Sequence, residues 1–291
     1  MRVTALLEAE DETVRRMRPS HAEHVQTIEE VRQALRELDA AVTWHDRAPG
    51  FRALEPCDLV VTVGGDGTLL AASHGVGTAI PLLGVNSAPT HSVGFFCAAR
   101  KGSVRQALAA ALDGSLPGVE LTRMRVDLSG RLLHDRVLNE ALFCHASPAA
   151  TSRYILRIAE GGRVLADEEQ KTSGVWIGPA AGSTAAQRSA GGRVLPLTSR
   201  KLQYVVREPY RPRLDALKMT LGTIDEGQVL ALKSQMRQAR LFLDGDRIVH
   251  EVGIGEVVQM RRSDEPLVVL GLSRDGTEPR AIQRATRRRR T

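Results

Sequence analysis

Val60-Val61-Thr62-Val63-Gly64-Gly65-Asp66-Gly67-Thr68-Leu69-Leu70 sets a lone carboxylate in a glycine turn, between an apolar run and a helix-compatible stretch. Leu59 to Val63 is short, β-branched and uncharged, the composition that fills the middle of a parallel sheet. Glycines at 64, 65 and 67 remove three Cβ atoms, so the backbone can come close to a ligand. Its N–H groups can then line an anion-binding nest at a helix N-terminus. An ordinary strand-to-helix turn would use the same glycines. The aspartate separates the two readings, because a carboxylate facing phosphates is repulsive unless it serves a proton or a metal. The run therefore points to phosphoryl transfer, with Asp66 as the candidate catalytic group.

At 291 residues the chain can bury a substantial core and predicts two domains. Aromatic residues are scarce, and the formal charge of +6 comes partly from Arg287-Arg288-Arg289-Arg290, which follows no apolar pattern. Without that tail the body is nearly balanced, and no basic stripe with interleaved aromatics is present, so nucleic acid is not an expected partner. A modestly positive surface suits a polyanionic substrate. No uncharged run approaches the length of a membrane span, which argues against a membrane role. The start, Met1-Arg2-Val3-Thr4-Ala5-Leu6-Leu7, reads as a first strand with no signal or transit segment, so a cytoplasmic location is expected. Cys57, Cys97 and Cys144 are far apart, odd in number and without C-x-x-C spacing, and read as reduced, semi-buried thiols.

Along the chain, Arg2 to Leu7 predicts a strand, and Val25, Ile28, Val31, Leu35 and Leu38 form one face of a helix. Ala41-Val42-Thr43-Trp44 predicts a second strand, Leu59 to Val63 a third and Ile80 to Val85 a fourth. This alternation argues for a parallel sheet covered by helices, with ligands at the carboxyl ends of its strands. A short helix near Ser103 to Leu112 precedes the Pro117-Gly118 break. Beyond it Leu121 to Leu128, Arg136 to Phe143, Tyr154 to Ala159, Val164 to Glu168 and Gly174 to Ile177 read as short strands with tight turns such as Glu160-Gly161-Gly162. Similar runs follow at Leu202 to Val206, Val229 to Leu232, Arg240 to Leu243 and Glu256 to Met260, so this half reads as all-β. The predicted division is an α/β domain over 1–103, a β-rich domain over 104–265, a candidate return segment at 266–278 containing Leu267-Val268-Val269-Leu270, and a basic disordered tail at 279–291.

Three further segments join the glycine turn: Gly84-Val85-Asn86-Ser87, Leu138-Asn139-Glu140-Ala141-Leu142-Phe143, and Gly182-Ser183-Thr184-Ala185 running on to Ser189-Ala190-Gly191-Gly192. Gly-Gly-Asp-Gly-Thr alone is shared with diacylglycerol and sphingosine kinases. With all four motifs in order, the chain resembles the NAD kinase family over most of its length. Asn86-Ser87-Ala88-Pro89 to Ser92-Val93-Gly94, and Lys171-Thr172-Ser173-Gly174, are closer to the mitochondrial-type branch. The resemblance implies a doubly wound, Rossmann-like first domain, a β-sandwich-like second domain that binds NAD, and a homodimer or homotetramer. It also implies transfer of the ATP γ-phosphoryl to the 2′-hydroxyl of the adenosine ribose of NAD, with Mg²⁺ or another divalent cation.

The same resemblance assigns Asp66 as the catalytic carboxylate, with Gly64, Gly65, Gly67 and Thr68 binding ATP phosphates. A ribose hydroxyl is a far weaker acid than a carboxylic acid, so Asp66 orients it and accepts its proton late, as the loose transition state forms. NAD is assigned to Asn86, Asn139, Glu140, Lys171, Ser183, Thr184 and Ser189, with Asn139 on the adenine and Glu140 on ribose hydroxyls. Because Asn139 and Glu140 would point to opposite faces of one strand, that strand is expected to bend or end there. Thr184 and Gln187 match a capping box, which predicts a helix from Thr184 to Gly191. Ser173 stands where the bacterial branch has Asp, and Ala186 where an aromatic ring stacks on the ligand, a loss of about 1 kcal/mol in affinity. Two other readings stay open: a lipid kinase of the diacylglycerol or sphingosine type, and a non-catalytic dinucleotide-binding regulator.

Overall fold

The computed structural model describes residues 2–46, 56–210 and 217–272. It divides into two compact units, one built from the segment ending at Val119 together with the segment beginning at Val268, the other from Glu120–Leu267. The predicted tail at 279–291, with its arginine run at 287–290, lies outside the described residues, as does the end of the candidate return segment beyond 272.

The first unit begins with helix α1 (Arg2–Glu8) where a strand was expected. Val3, Leu6 and Leu7 also fit the i, i+3, i+4 spacing of a helix, and Ala5 to Glu8 are good helix formers, so the helical period wins. The long helix α2 (Met17–Glu37) follows, burying Thr27, Val31, Ala34 and Leu35 on one face. The predicted strand at 41–44 does not form: Val42 and Trp44 are exposed, and the Arg32 guanidinium lies 5.1 Å from the Trp44 ring. A β-branched and aromatic alternation makes a strand only where a neighbour offers a ladder.

Strand β1 (Val60–Gly64) leads into helix α3 (Asp66–Ser73), and β2 (Leu82–Asn86) runs parallel to β1 with Gly64 opposite Asn86. β2 is buried along its whole length and is the hub of the sheet. It also bonds in parallel with β3 (Cys97–Arg100), which the sequence did not announce, and with a late strand at Leu267–Leu270. That late strand in turn neighbours β4 (Gly118–Leu121). Helix α4 (Val104–Leu112) was assigned to the second domain from the sequence. Instead its Val104, Ala107 and Leu108 pack with Val31, Ala34 and Leu35 of α2 in the first unit's core.

Among the described residues every ladder within the second unit is antiparallel. Its strands are β5 (Met124–Leu128), β6 (Arg131–Val137), β7 (Ala141–His145), β8 (Ser152–Glu160), β9 (Arg163–Thr172) and β10 (Val175–Gly178). Then come β11 (Leu202–Val206), β12 (Leu221–Ile224), β13 (Gln228–Ser234), β14 (Ala239–Leu243), β15 (Ile248–Val252) and β16 (Val257–Arg262). One sheet has the order β12-β11-β10-β7-β14-β15 and the other β6-β5-β16-β13-β8-β9. Alternate residues of both sheets meet in one core. Phe143 of one sheet and Tyr154 of the other, both fully buried, are stacked edge to face with centroids 5.6 Å apart. The predicted turn at 160–162 is the β8–β9 hairpin, with Gly161 at φ 56° and Gly162 at φ 84°. All three cysteines are free; Cys57 is exposed rather than semi-buried. Among the described residues no helix is long and apolar enough to cross a membrane.

Leu83, fully buried in β2, sets a stability test. Leu83→Ala should lower the unfolding free energy by about 2–5 kcal/mol, whereas Val164→Ala at an exposed site should change it by less than about 0.5 kcal/mol. Urea titration of both variants checks the contrast.

Candidate active site

In the first unit the site is built at the carboxyl ends of β1 and β2. Gly64 ends β1, its carbonyl accepting the Ser87 N–H at 3.1 Å, and a Cβ there would collide with the Thr68 side chain. The chain turns at Gly65, the N-cap of α3, where a Cβ would stand 2.6 Å from Ser92 Oγ. Thr68 N–H returns to the Gly65 carbonyl at 2.9 Å, closing the first helical turn. Asp66 does not cap its own helix. Its Oδ2 accepts the Phe95 N–H at 3.0 Å and its Oδ1 the Phe96 N–H at 2.8 Å. A carboxylate has about four acceptor positions, so two remain for a substrate hydroxyl or a nucleotide-borne metal. Gly67 is exposed, and a Cβ there would meet nothing within 4 Å.

Asn86 is buried and occupied within the protein. Its Nδ2 donates to the Ser92 carbonyl at 3.1 Å and its Oδ1 accepts the Ala88 N–H at 3.3 Å. The residue assigned to NAD thus clasps the segment that follows β2. Cys97, next to Gly64, has its thiol pushed up to about 12 by burial and by the Asp66 charge, which makes it inert at neutral pH.

In the second unit Asn139 and Glu140 lie between β6 and β7, so the single strand expected over 136–143 is broken there. The break has a definite cause. The N–H groups of Leu138, Asn139 and Glu140 all donate to the Asp244 carboxylate, at 2.8, 2.7 and 3.0 Å, and Asp244 N–H donates back to the Glu140 carbonyl at 2.9 Å. Gly182 packs directly on the Asn139 backbone, leaving no room for a Cβ. Glu140 is only 8% exposed, and its Oε2 has no hydrogen-bond partner among the described residues. Burial, then the neighbouring Asp244 charge, pushes the Glu140 carboxyl up to about 7. Burial likewise raises Asp244 to about 6, opposed by its three amide donors and by Arg123.

Ser183 is fully buried, with Oγ donating to the Ala180 carbonyl at 2.7 Å and accepting the Leu195 N–H at 2.9 Å. Thr184 ends a 3-10 turn, Ala180–Thr184, and does not cap. The following helix α5 (Ala186–Ser189) has Ala185 at its N-cap, without a side-chain bond, and closes at Gly191 as expected. The capping box fails because Gln187 is turned into the core, where its Oε1 accepts from Gln203 at 3.0 Å. Ser189 is exposed, 3.4 Å from the Ala185 carbonyl, and Lys171 is exposed on β9. Ser173 bonds Glu208. The structure thus groups Gly64, Gly65, Asp66, Gly67, Thr68 and Asn86 in one unit and Asn139, Glu140, Ser183 and Thr184 in the other, with Lys171 and Ser189 outside both hydrogen-bonded clusters.

Asp244 was missed from the sequence. It directly follows the strand read at Arg240 to Leu243, in a turn where Asp244 takes a left-handed φ of 48° and Gly245 one of 109°. Nothing local announces that its carboxylate reaches residues about a hundred positions earlier.

The described residues thus set a carboxylate in a glycine turn in one unit and a turn of half-buried Asn139 and buried Glu140 in the other. Residues 3–116 match the family model described as the ATP-NAD kinase N-terminal domain. Over 231 residues the chain is 38% identical to a "Probable NADH kinase" of Oryza sativa subsp. japonica, covering 72% of this chain and 70% of that protein. It is 35% identical over 233 residues to an NADH kinase of Arabidopsis thaliana, covering 74% and 73%. It is 26% identical over 217 residues to an NAD kinase of Methanocorpusculum labreanum, covering 75% of each. The fold is similar to that of yeast NADH kinase crystallised with NADH, at a TM-score of 0.64 and 18% identity, over 76% of this chain and 63% of that one. The chain belongs to the NAD kinase family.

The two raised carboxyls set a pH test. Each holds its proton in the folded protein at a pH where the unfolded chain has lost it, so the stability they contribute is fully present below about pH 4 and is lost as pH rises through about 6 to 7. Glu140→Gln should therefore flatten the fall in stability between about pH 4 and about pH 7 by roughly 1–3 kcal/mol. Urea midpoints of both proteins across that range measure it, and an unchanged slope would assign the proton to another group.

Proposed function

We propose that this chain transfers the γ-phosphoryl of ATP to the 2′-hydroxyl of the adenosine ribose of NAD or NADH, with Asp66 as the proton acceptor. The observation that carries the reading is the Asp66 carboxylate itself, held by two backbone N–H groups at a glycine turn with acceptor positions to spare. Names of relatives support both dinucleotides as acceptors, since they include NADH kinases and NAD kinases.

Asp66 orients the ribose hydroxyl and takes its proton as the bond to phosphorus forms. The N-terminal end of α3 contributes a partial positive charge beside the phosphates, and Gly65 and Gly67 let the chain approach them. Among the described residues no group of three His, Cys, Asp or Glu side chains is placed to hold a metal ion. Asp66, with acceptor positions left over, is the residue that would hold a Mg²⁺ brought in with the nucleotide, and the ion would offset phosphate charge there.

On the acceptor side, Glu140 Oε2 supplies an open hydrogen-bond position in a dry setting, and a ribose hydroxyl is the complement it lacks. Asn139, whose carboxamide both donates and accepts, suits a base edge. Thr184, Ser189 and Lys171 belong to the same reading as the outer NAD contacts, while the fully buried Ser183, its hydroxyl bonded to Ala180 and Leu195, supports the turn that carries Thr184. Assembly as a homodimer or homotetramer and a cytoplasmic location complete it, and light scattering after size exclusion reads the assembly directly.

NADP or NADPH formation with ATP and Mg²⁺, followed with an NADP-specific dehydrogenase, tests the reaction. Asp66→Asn should lower kcat by about 10²–10⁴-fold with the circular-dichroism spectrum unchanged. Full activity in that variant would refute the role of Asp66, and wild-type protein that binds NAD without turnover would refute the kinase reading.

A further inference from the structure

We propose that His24 is a positioning residue for phosphoryl transfer, fixing the segment that follows β2 so that its Phe95 and Phe96 amides hold Asp66 in one orientation. The inference rests on the reading of Asp66 given above.

The mechanism as derived uses no side chain of α2, yet three of them reach this segment. Glu23, His24 and Thr27 share one face of the helix by their i, i+3 and i+4 spacing. His24 Nδ1 lies 2.7 Å from Ser87 Oγ. The buried Thr27 hydroxyl is 3.0 Å from the Ser87 carbonyl and 2.9 Å from the Glu23 carbonyl, so its one proton is shared between two acceptors. Thr90 Oγ1 donates to Glu23 Oε1 at 3.1 Å.

Ser87 is consequently fixed from three directions: its N–H to the Gly64 carbonyl, its carbonyl to Thr27 and its hydroxyl to His24. From there to Phe96 the segment is bonded to itself. Asn86 clasps Ala88 and Ser92, and the His91 and Ser92 N–H groups both return to the Ala88 carbonyl at 2.9 Å. Cys97 N–H donates to the Gly94 carbonyl at 3.0 Å. A segment bonded this way moves largely as one piece. Anchored on α2 at Ser87, it delivers two amides to Asp66 at its other end. Since His24 is half-buried and supplies, among the described residues, the side-chain bond to the Ser87 hydroxyl, removing it frees the anchor without emptying the core. A displacement of the order of 1 Å at the reacting group is enough to slow a positioned reaction about 10²-fold.

The test compares His24→Ala, His24→Asn and His24→Gln in the full chain with MgATP and NAD. An Asn carboxamide puts a polar atom near the place of Nδ1, whereas Gln extends to the place of Nε2. His24→Ala should lower kcat about 10- to 100-fold with KM for NAD within about twofold, His24→Asn should recover most of it, and His24→Gln should not. Amide hydrogen exchange over residues 87–96 should quicken in the Ala and Gln variants and stay near wild type in the Asn variant. Unchanged kcat in His24→Ala, or an equal loss in all three variants with unchanged exchange, overturns the inference. If wild-type protein fails to phosphorylate NAD or NADH, the functional reading falls. Exchange then decides the anchor by itself, since quickening restored by Asn supports it and unaltered exchange overturns it.

Discussion

β2 has no face left for solvent, and that constraint organises the first unit. Leu82, Leu83 and Val85 are fully buried, so the strand must be flanked by others. β1, β3 and the late strand at Leu267–Leu270 all lie parallel to it. Parallel partners that start together also end together, which brings Gly64 opposite Asn86. The glycine turn and the Asn86 clasp are therefore neighbours because of sheet register. Changing that register by one residue would send Asp66 to a different height above the sheet and separate it from the Phe95 and Phe96 amides.

The second unit solves a related problem by other means. A strand continuing from β6 through Asn139 and Glu140 would satisfy its N–H groups in a ladder and point the two side chains to opposite faces. Breaking the strand lets both be presented together but leaves three N–H groups without ladder partners. Asp244 accepts all three. The cost is a buried carboxylate beside Glu140, and the upward push on both carboxyls records it.

Much of this was legible in the sequence where the signal was local. The Leu59 to Val63 run, the α2 helix and the Glu160-Gly161-Gly162 hairpin depend on nearby residues, and each element forms; β1, however, ends its described sheet rather than filling the middle, and α2 buries Thr27, Val31, Ala34 and Leu35 while Val25 is exposed. Arg2 to Leu7 was misread because seven residues satisfy two periods at once, and Ala41 to Trp44 because propensity says nothing of whether a ladder partner exists. On the site, Gly64, Gly65 and Asp66 stand where a strand-turn-helix reading puts them. Asn86, Ser183 and Thr184 carry motif identities whose visible roles are a loop clasp, a buried turn bond and the end of a 3-10 turn. Asp244 and His24 escaped notice because their partners are remote in the chain, and a single sequence offers no periodicity that links them.

Asp66 and Asp244 illustrate how the number of donors decides what a carboxylate can do. Asp244 receives three amides from one side and returns its own N–H, so most of its acceptor capacity serves the backbone. Asp66 receives two, one on each oxygen. Two donors remove the rotational freedom of the group while leaving a lone pair on each oxygen, which suits the proton-acceptor role proposed for it. A third would have made it a clamp. The segment from Ser87 to Phe96 sets that number, and its attachment to α2 makes the orientation of Asp66 a property of the whole first unit rather than of the glycine turn alone.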